Sequence, residues 1–150
     1  MQKIILSAIV LTTIVLTTLT SSWAKPAAGV IHNFKVIAVK DGDTVVIEAP
    51  YLPAPLKQQL SIRVLGVDTP EKAPRAKCDR EAAGGAAATE FTKKAVAGAK
   101  QIQVELVDWD KFGGRVLGDV ILDGQRLSAL LIKNNLARPY FGEAKSSWCN

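Results

Sequence analysis

Arg63, Asp68 and Glu71 fall within nine residues of one another, in the stretch Leu60–Glu71, LSIRVLGVDTPE. Leu60, Ile62 and Val64 give it the apolar, partly β-branched pattern of a half-buried strand. Alternation along that strand puts Arg63 on the face opposite Ile62 and Val64. Gly66 permits a bend, and Asp68, Thr69 and Glu71 follow around Pro70. The proline removes a backbone donor and turns Thr69 away from helical angles, so the acids leave the sheet on a fixed turn. Two carboxylates on a carbonyl-rich turn beside an arginine suit a hard cation and a phosphate. The same residues also read as a solvated strand end with a surface ion pair, and taken alone they do not separate the two.

Two further acids stand earlier, in Asp41-Gly42-Asp43-Thr44. Phe34–Val39 and Thr44–Ile47 alternate as strands, and an Asp-Gly turn between such runs marks a hairpin. Turn chemistry accounts for Asp41 and Gly42. It does not account for Asp43, because a carboxylate at a strand start gives the backbone nothing that a threonine would not.

The remaining elements must position these groups. Residues 48 to 59 form a loop with three prolines, and Lys72–Lys77 a basic loop that is either an ordinary solvated segment or a phosphate-steering rim. Asp79 is placed to cap a helix running to about Ala99. Ala83, Ala87, Phe91 and Ala95 recur at i+4 and mark its expected buried face, with Ala88 and Val96 beside them. Gly84-Gly85 weakens that helix by ~1 kcal/mol per glycine relative to alanine. Gln101–Val107 alternates as a strand, Trp109–Arg115 is a turn, and Val116–Leu122 is the strand leaving it. Ser128 is placed to cap a short helix, Ala129–Asn134, with Asn135 tolerating a left-handed exit. Leu136–Phe141 continues extended. Three strands, a helix, two strands and a short helix is the order of a five-stranded OB-fold barrel of the α+β, mainly β class, with one long and one short helix. Such barrels bind oligonucleotides, but fold alone assigns no function.

Met1–Ala24 reads as an export leader: Lys3, an apolar run over Ile4–Leu19, and a small-x-small ending at Ser22-Trp23-Ala24. The alternative is an uncleaved anchor, although the run is shorter than the ~20 residues a bilayer needs. Residues 25–31 are then a loose tail and 32–150 one domain, secreted or periplasmic, with no membrane span after cleavage. The leader holds one of the 19 Lys and Arg residues and none of the 14 acids, so the domain stays mildly basic. That charge is compatible with a polyanionic partner and equally with simple solubility. Nothing implies a stable protein partner, and a monomer is expected. Two cysteines, Cys78 and Cys149, are an even pair suited to one disulfide in an oxidising compartment; two free buried thiols are the alternative. They lack metal spacing, and the single histidine, His32, leaves little for a zinc site.

Asp41-Gly42-Asp43-Thr44, then Arg63–Glu71, then Asp110-Lys111-Phe112-Gly113-Gly114-Arg115 resemble, in order, the three signature blocks of the staphylococcal nuclease (thermonuclease) family. Glu90–Val96 is similar to that family's first helix, and the resemblance spans His32 to Tyr140. It implies an OB-fold, Ca2+-dependent phosphodiesterase that cleaves DNA and RNA and leaves 3′-phosphates. Carried across by residue, it implies Asp43, Asp68 and the Thr69 carbonyl as calcium ligands. Arg63 would grip the scissile phosphate, Arg115 would act on the leaving-group side, and Glu71 would orient or deprotonate the attacking water. Lys111 would contact a neighbouring phosphate. Phe112 stands where the family often has a tyrosine, so a phosphate hydrogen bond is lost. The Gly113-Gly114 turn is one glycine longer than the family's shortest version. Tyr140, or its neighbour Phe141, would stack on a base.

The chemistry of hydrolysis asks for the same groups. A cation on two aspartates polarises the phosphate and helps supply a nucleophile from water. Two arginines make bidentate contacts to phosphoryl oxygens that gain charge in the transition state. A glutamate within one water of phosphorus acts as base. The alternative, from another class, is an inactive OB-fold module that only binds nucleic acid, for which five such side chains together have no use.

Overall fold

A computed structural model describes residues 29–150 of the chain; the leader and most of the N-terminal tail lie outside the described residues. The hairpin forms as its Asp-Gly turn requires: β2 (Val36–Asp41) and β3 (Thr44–Glu48) pair antiparallel, with Asp41 opposite Thr44 at the tip. The strand of the LSIRVLGVDTPE stretch is β4 (Gln59–Val64), antiparallel to β3 with Thr44 opposite Arg63. β6 (Ile102–Trp109) and β7 (Arg115–Leu122) form the second hairpin, and β7 runs parallel to β4. β1 (Val30–His32) adds to the free edge of β6, and β8 (Gln125–Arg126) to β7. The order is β1-β6-β7-β4-β3-β2.

This corrects the five-stranded barrel. Among the described residues the sheet has seven strands and stays open, because β1 and β2 end it without pairing to each other; a separate ribbon joins β5 (Val67–Asp68) to β9 (Arg138–Pro139). The unforeseen strands β1, β5, β8 and β9 have only two or three residues each, too few for a period of two to register. Gly118 lets β6 and β7 close together: a Cβ there would lie 2.0 Å from the Glu105 carbonyl oxygen.

The core is one apolar cluster under the sheet, with Val45, Ile47, Ile62, Val64, Val104 and Val120 meeting Leu127 and Leu131 of the short helix. The long helix α1 (Asp79–Gly98) packs against β2, and Phe91, Ala95 and Val96 of its second half reach this cluster. Its first half departs from expectation. Ala83 and Ala87 are exposed; Ala88 is buried as expected, but the other buried residues of the helix are Glu81, Gly85, Thr89 and Thr92. That half lies on the polar turns carrying the acids rather than on the apolar core, so apolar spacing misassigned its face. Cys78, not Asp79, occupies the N-cap position, and the Glu81 carboxylate accepts from the Lys77 N–H at 2.7 Å.

The short helix α2 (Leu127–Lys133) also starts earlier than expected, and Ser128 does not cap it. Asp119, buried on β7, supplies the cap: it accepts from the Ser128 N–H at 3.3 Å and from its hydroxyl at 2.5 Å. Asn135 makes the left-handed exit at φ 57°.

Candidate active site

Asp43 leaves the β2–β3 turn pointing inward and is 1% exposed. α1 holds that turn. A Cβ on Gly42 would meet the Ala88 Cβ at 2.6 Å, and the Thr92 hydroxyl donates to the Gly42 carbonyl at 2.7 Å. The Thr69 N–H and hydroxyl donate to Asp43 Oδ2 at 3.2 and 2.8 Å, the Thr44 hydroxyl donates to Oδ1 at 3.2 Å, and Arg63 pairs with Oδ1. Burial pushes the Asp43 carboxyl above its usual range. Arg63 opposes this, the nearby Asp41 charge adds to it, and the Thr69 bonds do not reverse it.

Arg63 reaches Asp43 from β4 and also lies 3.4 Å from the Val67 carbonyl and 4.0 Å from Asp68 Oδ1. The β5–β9 ribbon sets Asp68, which stands opposite Arg138 and is 5% exposed. Its Oδ2 accepts from the Trp148 indole N–H at 3.0 Å. Its Oδ1 accepts no hydrogen bond, although the Lys145 ammonium pairs with it at 2.5 Å. The buried Asp41 Oδ1 likewise has no partner, while its Oδ2 faces Arg75 at 3.2 Å.

Asp43, Arg63, Asp68 and Thr69 therefore form one cluster, in which Asp43 from the hairpin turn takes the place that the spacing gave to Glu71. Glu71 stands apart from it, half exposed and bonded to Arg75 Nε at 2.9 Å, with Arg75 bridging back to Asp41. Its loop is fixed by close approach to α1: a Cβ on Gly85 would lie 2.5 Å from the Glu71 carbonyl carbon and oxygen. Gly85 is a contact point, not merely a weak place in the helix.

Arg115 starts β7. Ser61 pairs with Arg115 and Arg63 with Leu117, so the two arginines rise from the same face of the parallel pair. Both Gly113 and Gly114 take positive φ, 72° and 69°, and the longer turn leaves Arg115 anchored rather than loose. Its Nε donates to Asp110 Oδ2 at 2.9 Å. Burial pushes the Asp110 carboxyl up, but the Phe112 N–H, the Arg115 bond and the charges of Arg115 and Arg63 outweigh it and leave the group below its usual range. Lys111 and Phe112 sit at the exposed turn tip, the ammonium 5.1 Å from the ring centre. Tyr140 is half buried, its N–H bonded to the Gly66 carbonyl at 3.0 Å, whereas Phe141 is 66% exposed beside Gly66. The Cys78–Cys149 disulfide is formed across a separation of 71 residues.

Sequence reasoning missed Asp41, whose carboxylate turn chemistry had absorbed, and Lys145 and Trp148, which carry no local signal. Among the described residues no three His, Cys, Asp or Glu side chains converge as a ready-made metal-ligand group. The donor chemistry nonetheless suits a hard cation. Asp41 Oδ1 is buried without a hydrogen-bond partner, and Asp68 Oδ1 is buried with only the pairing cations Lys145 and Arg63 to face it. Backbone carbonyls and water would complete such a site. The arrangement places concentrated negative oxygen beside two guanidinium groups anchored by Asp43 and Asp110, a donor set that can bind a phosphodiester and stabilise charge developing on it.

The chain is similar in sequence to known proteins. A sequence model of the family described as Staphylococcal nuclease homologue matches residues 61–148. The thermonuclease of Staphylococcus hyicus, a curated relative, is 32% identical over 110 residues, covering 72% of this chain. The chain spans 59% of the length of that relative.

Proposed function

The chain belongs to the staphylococcal nuclease homologue family, and from that premise we propose that it is a secreted or periplasmic, calcium-dependent nuclease hydrolysing phosphodiester bonds of DNA and RNA. The observation that carries the reading is the buried Asp43–Arg63–Asp68 cluster. Burying charges is a poor way to stabilise a small domain, since desolvation cancels most of the attraction. Held at the turn end of β4, they are better explained by chemistry than by folding.

Asp43 and Asp68, with the Thr69 carbonyl, would hold the calcium ion, which when bound supplies charge to polarise a phosphate and acidify a water. Thr69 orients Asp43 through two hydrogen bonds, so that this carboxylate keeps one geometry. Arg63, freed from its bond to Asp43, turns its fork onto the phosphoryl oxygens. Arg115, aimed by Asp110, meets the leaving side. Both contacts strengthen as charge builds on those oxygens. Glu71, accessible and steadied by Arg75, takes the proton of the attacking water. Breaking the bond to the 5′-oxygen leaves the phosphate on the 3′-oxygen. Lys111 contacts an adjacent phosphate, and Phe112 and Tyr140 offer ring faces to bases.

Export is supported by the leader-like first 24 residues and by the disulfide, which favours an oxidising compartment. No helix among the described residues is long and apolar enough to cross a membrane. The test is digestion of single-stranded DNA and of RNA by the purified protein with calcium, magnesium or excess chelator, with end-group analysis. Cleavage best in calcium and leaving 3′-phosphates is expected; undiminished cleavage in chelator would remove the cation from the scheme.

A further inference from the structure

We propose that Trp148 is a positioning residue for Asp68, held against it by the Cys78–Cys149 bond, and that it sets the affinity of the site for a divalent cation. The inference rests on the cation reading given above.

A carboxylate turns easily about its last torsion, so an aspartate fixed at one oxygen has the other fixed as well. The Trp148 indole N–H takes Asp68 Oδ2 at 3.0 Å, which leaves Oδ1, buried and paired only with the Lys145 ammonium and, at 4.0 Å, Arg63, as the oxygen that would coordinate once that ammonium is displaced. The donor is neutral. It orients the carboxylate without adding a charge that would repel an incoming cation, and the N–H of this half-buried indole has its own need for a partner.

The indole is itself held from two sides. The Arg138 guanidinium stacks over the ring at 3.7 Å and donates to the Ser146 hydroxyl and the Ser147 carbonyl at 2.8 and 2.9 Å. Arg138 is also the strand partner of Asp68, so one two-residue ribbon sets both the carboxylate and the ring that meets it. On the other side stands Cys149, bonded to Cys78 at the head of α1. Residues 140 to 150 contain no helix or strand. Their register over Asp68 thus depends on Arg138 and on this bond.

Lys145 has the opposite relation to the site. Its ammonium lies 2.5 Å from Asp68 Oδ1, where it serves as the counter-charge a cation must displace. The two side chains therefore move cation affinity in opposite directions, which a merely structural tail would not do.

The experiment is calorimetric titration of calcium into the disulfide-bonded protein, its Trp148→Phe and Lys145→Gln variants, and the reduced protein. The indole 1H–15N resonance of Trp148, identified by its loss in Trp148→Phe, is followed alongside. Trp148→Phe keeps the stacked ring and is expected to weaken calcium about tenfold, the scale for partners that orient metal ligands. Lys145→Gln is expected to tighten it several-fold, and reduction to reproduce the Trp148→Phe loss. The indole resonance should shift in Asp68→Asn and on adding calcium. Calcium binding to Trp148→Phe as tightly as to the parent overturns the proposal. A parent that takes no calcium, with an indole resonance that still shifts in Asp68→Asn, overturns the cation reading of the site instead. Should Trp148→Phe not fold, the reduced protein and Cys149→Ser carry the same comparison, and unchanged affinity in either is equally fatal.

Discussion

Gly85→Ala tests whether α1 positions the loop that bears Glu71. Replacing a helical glycine by alanine ordinarily stabilises by ~1 kcal/mol. At Gly85 the added methyl would stand 2.5 Å from the Glu71 carbonyl carbon and oxygen and 2.6 Å from the Lys72 nitrogen. These are backbone atoms of a loop braced by Pro70, so no side chain can rotate out of the way. The helix and loop must part by about 1 Å to restore ordinary contact, and such overpacking costs about 1–3 kcal/mol. The net expectation is a loss of up to about 2 kcal/mol despite better helix propensity. Gly98→Ala is the matched control, because nothing lies within 4 Å of a Cβ there; it should be neutral or stabilising. Urea denaturation measures both, with an unchanged slope required for the comparison. Turnover on single-stranded DNA should fall in Gly85→Ala by on the order of 100-fold, since a 1 Å displacement of a catalytic group can cost that much. A Gly85→Ala protein as stable as Gly98→Ala and fully active would show that the helix does not set this loop.

Arg115→Lys should lower turnover far more than it raises the Michaelis constant, because lysine keeps the charge but not the planar fork that Asp110 aims; parental turnover would leave Arg115 a surface charge. Thiol labelling of denatured, unreduced protein should find neither Cys78 nor Cys149 free. Cys78→Ser should lose roughly 4 kcal/mol by the chain-entropy measure for a loop this long, with a smaller loss if the unfolded chain is compact. Glu105 carries a pH prediction. Its hydrogen bond to Arg126 outweighs burial and holds its carboxyl below the usual range. The stability it contributes is therefore present above the ordinary carboxylate pKa and is lost as pH falls through the lowered value. Glu105→Gln should be less stable at pH 7 by about 1 kcal/mol or less, Arg126 being half exposed, and the gap in Tm should close in acid. A gap that persists unchanged below pH 3 would exclude the ion pair as its source.

Much of the site was legible because its chemistry is local. Arg63, Asp68 and Thr69 lie within seven residues, and strand alternation followed by a proline turn suffices to bring them to one place. Asp43 was legible as an acid that turn chemistry left over, and the Asp-Gly turn fixed the hairpin bearing it. The partners that complete these groups are remote. Trp148 and Lys145 reach Asp68 from about eighty residues away, through a ribbon of two-residue strands that no period reveals. The buried face of the first half of α1 was misread in part for a related reason: spacing finds apolar stripes, and so finds Ala88, whereas Gly85 and Thr92 are buried by close backbone approach and a hydrogen bond. Ser128 looked like a cap because it precedes an apolar run, but Asp119 reaches in from β7 to do that work. Sheet closure is likewise a property of how strands splay in space, and element order alone could not distinguish a closed barrel from the open seven-stranded sheet.

The most direct test of the central claim is the steady-state cleavage of single-stranded DNA by Arg63→Lys beside the parent protein in calcium. Among the described residues Arg63 is the one side chain that pairs with both Asp43 and Asp68, and it shares a sheet face with Arg115. If it grips the phosphate as charge develops, the variant loses at least about 100-fold in turnover with little change in the Michaelis constant. Parental turnover, or a loss confined to the Michaelis constant, would make Arg63 a binding or folding residue and contradict the assignment of this cluster as the catalytic centre.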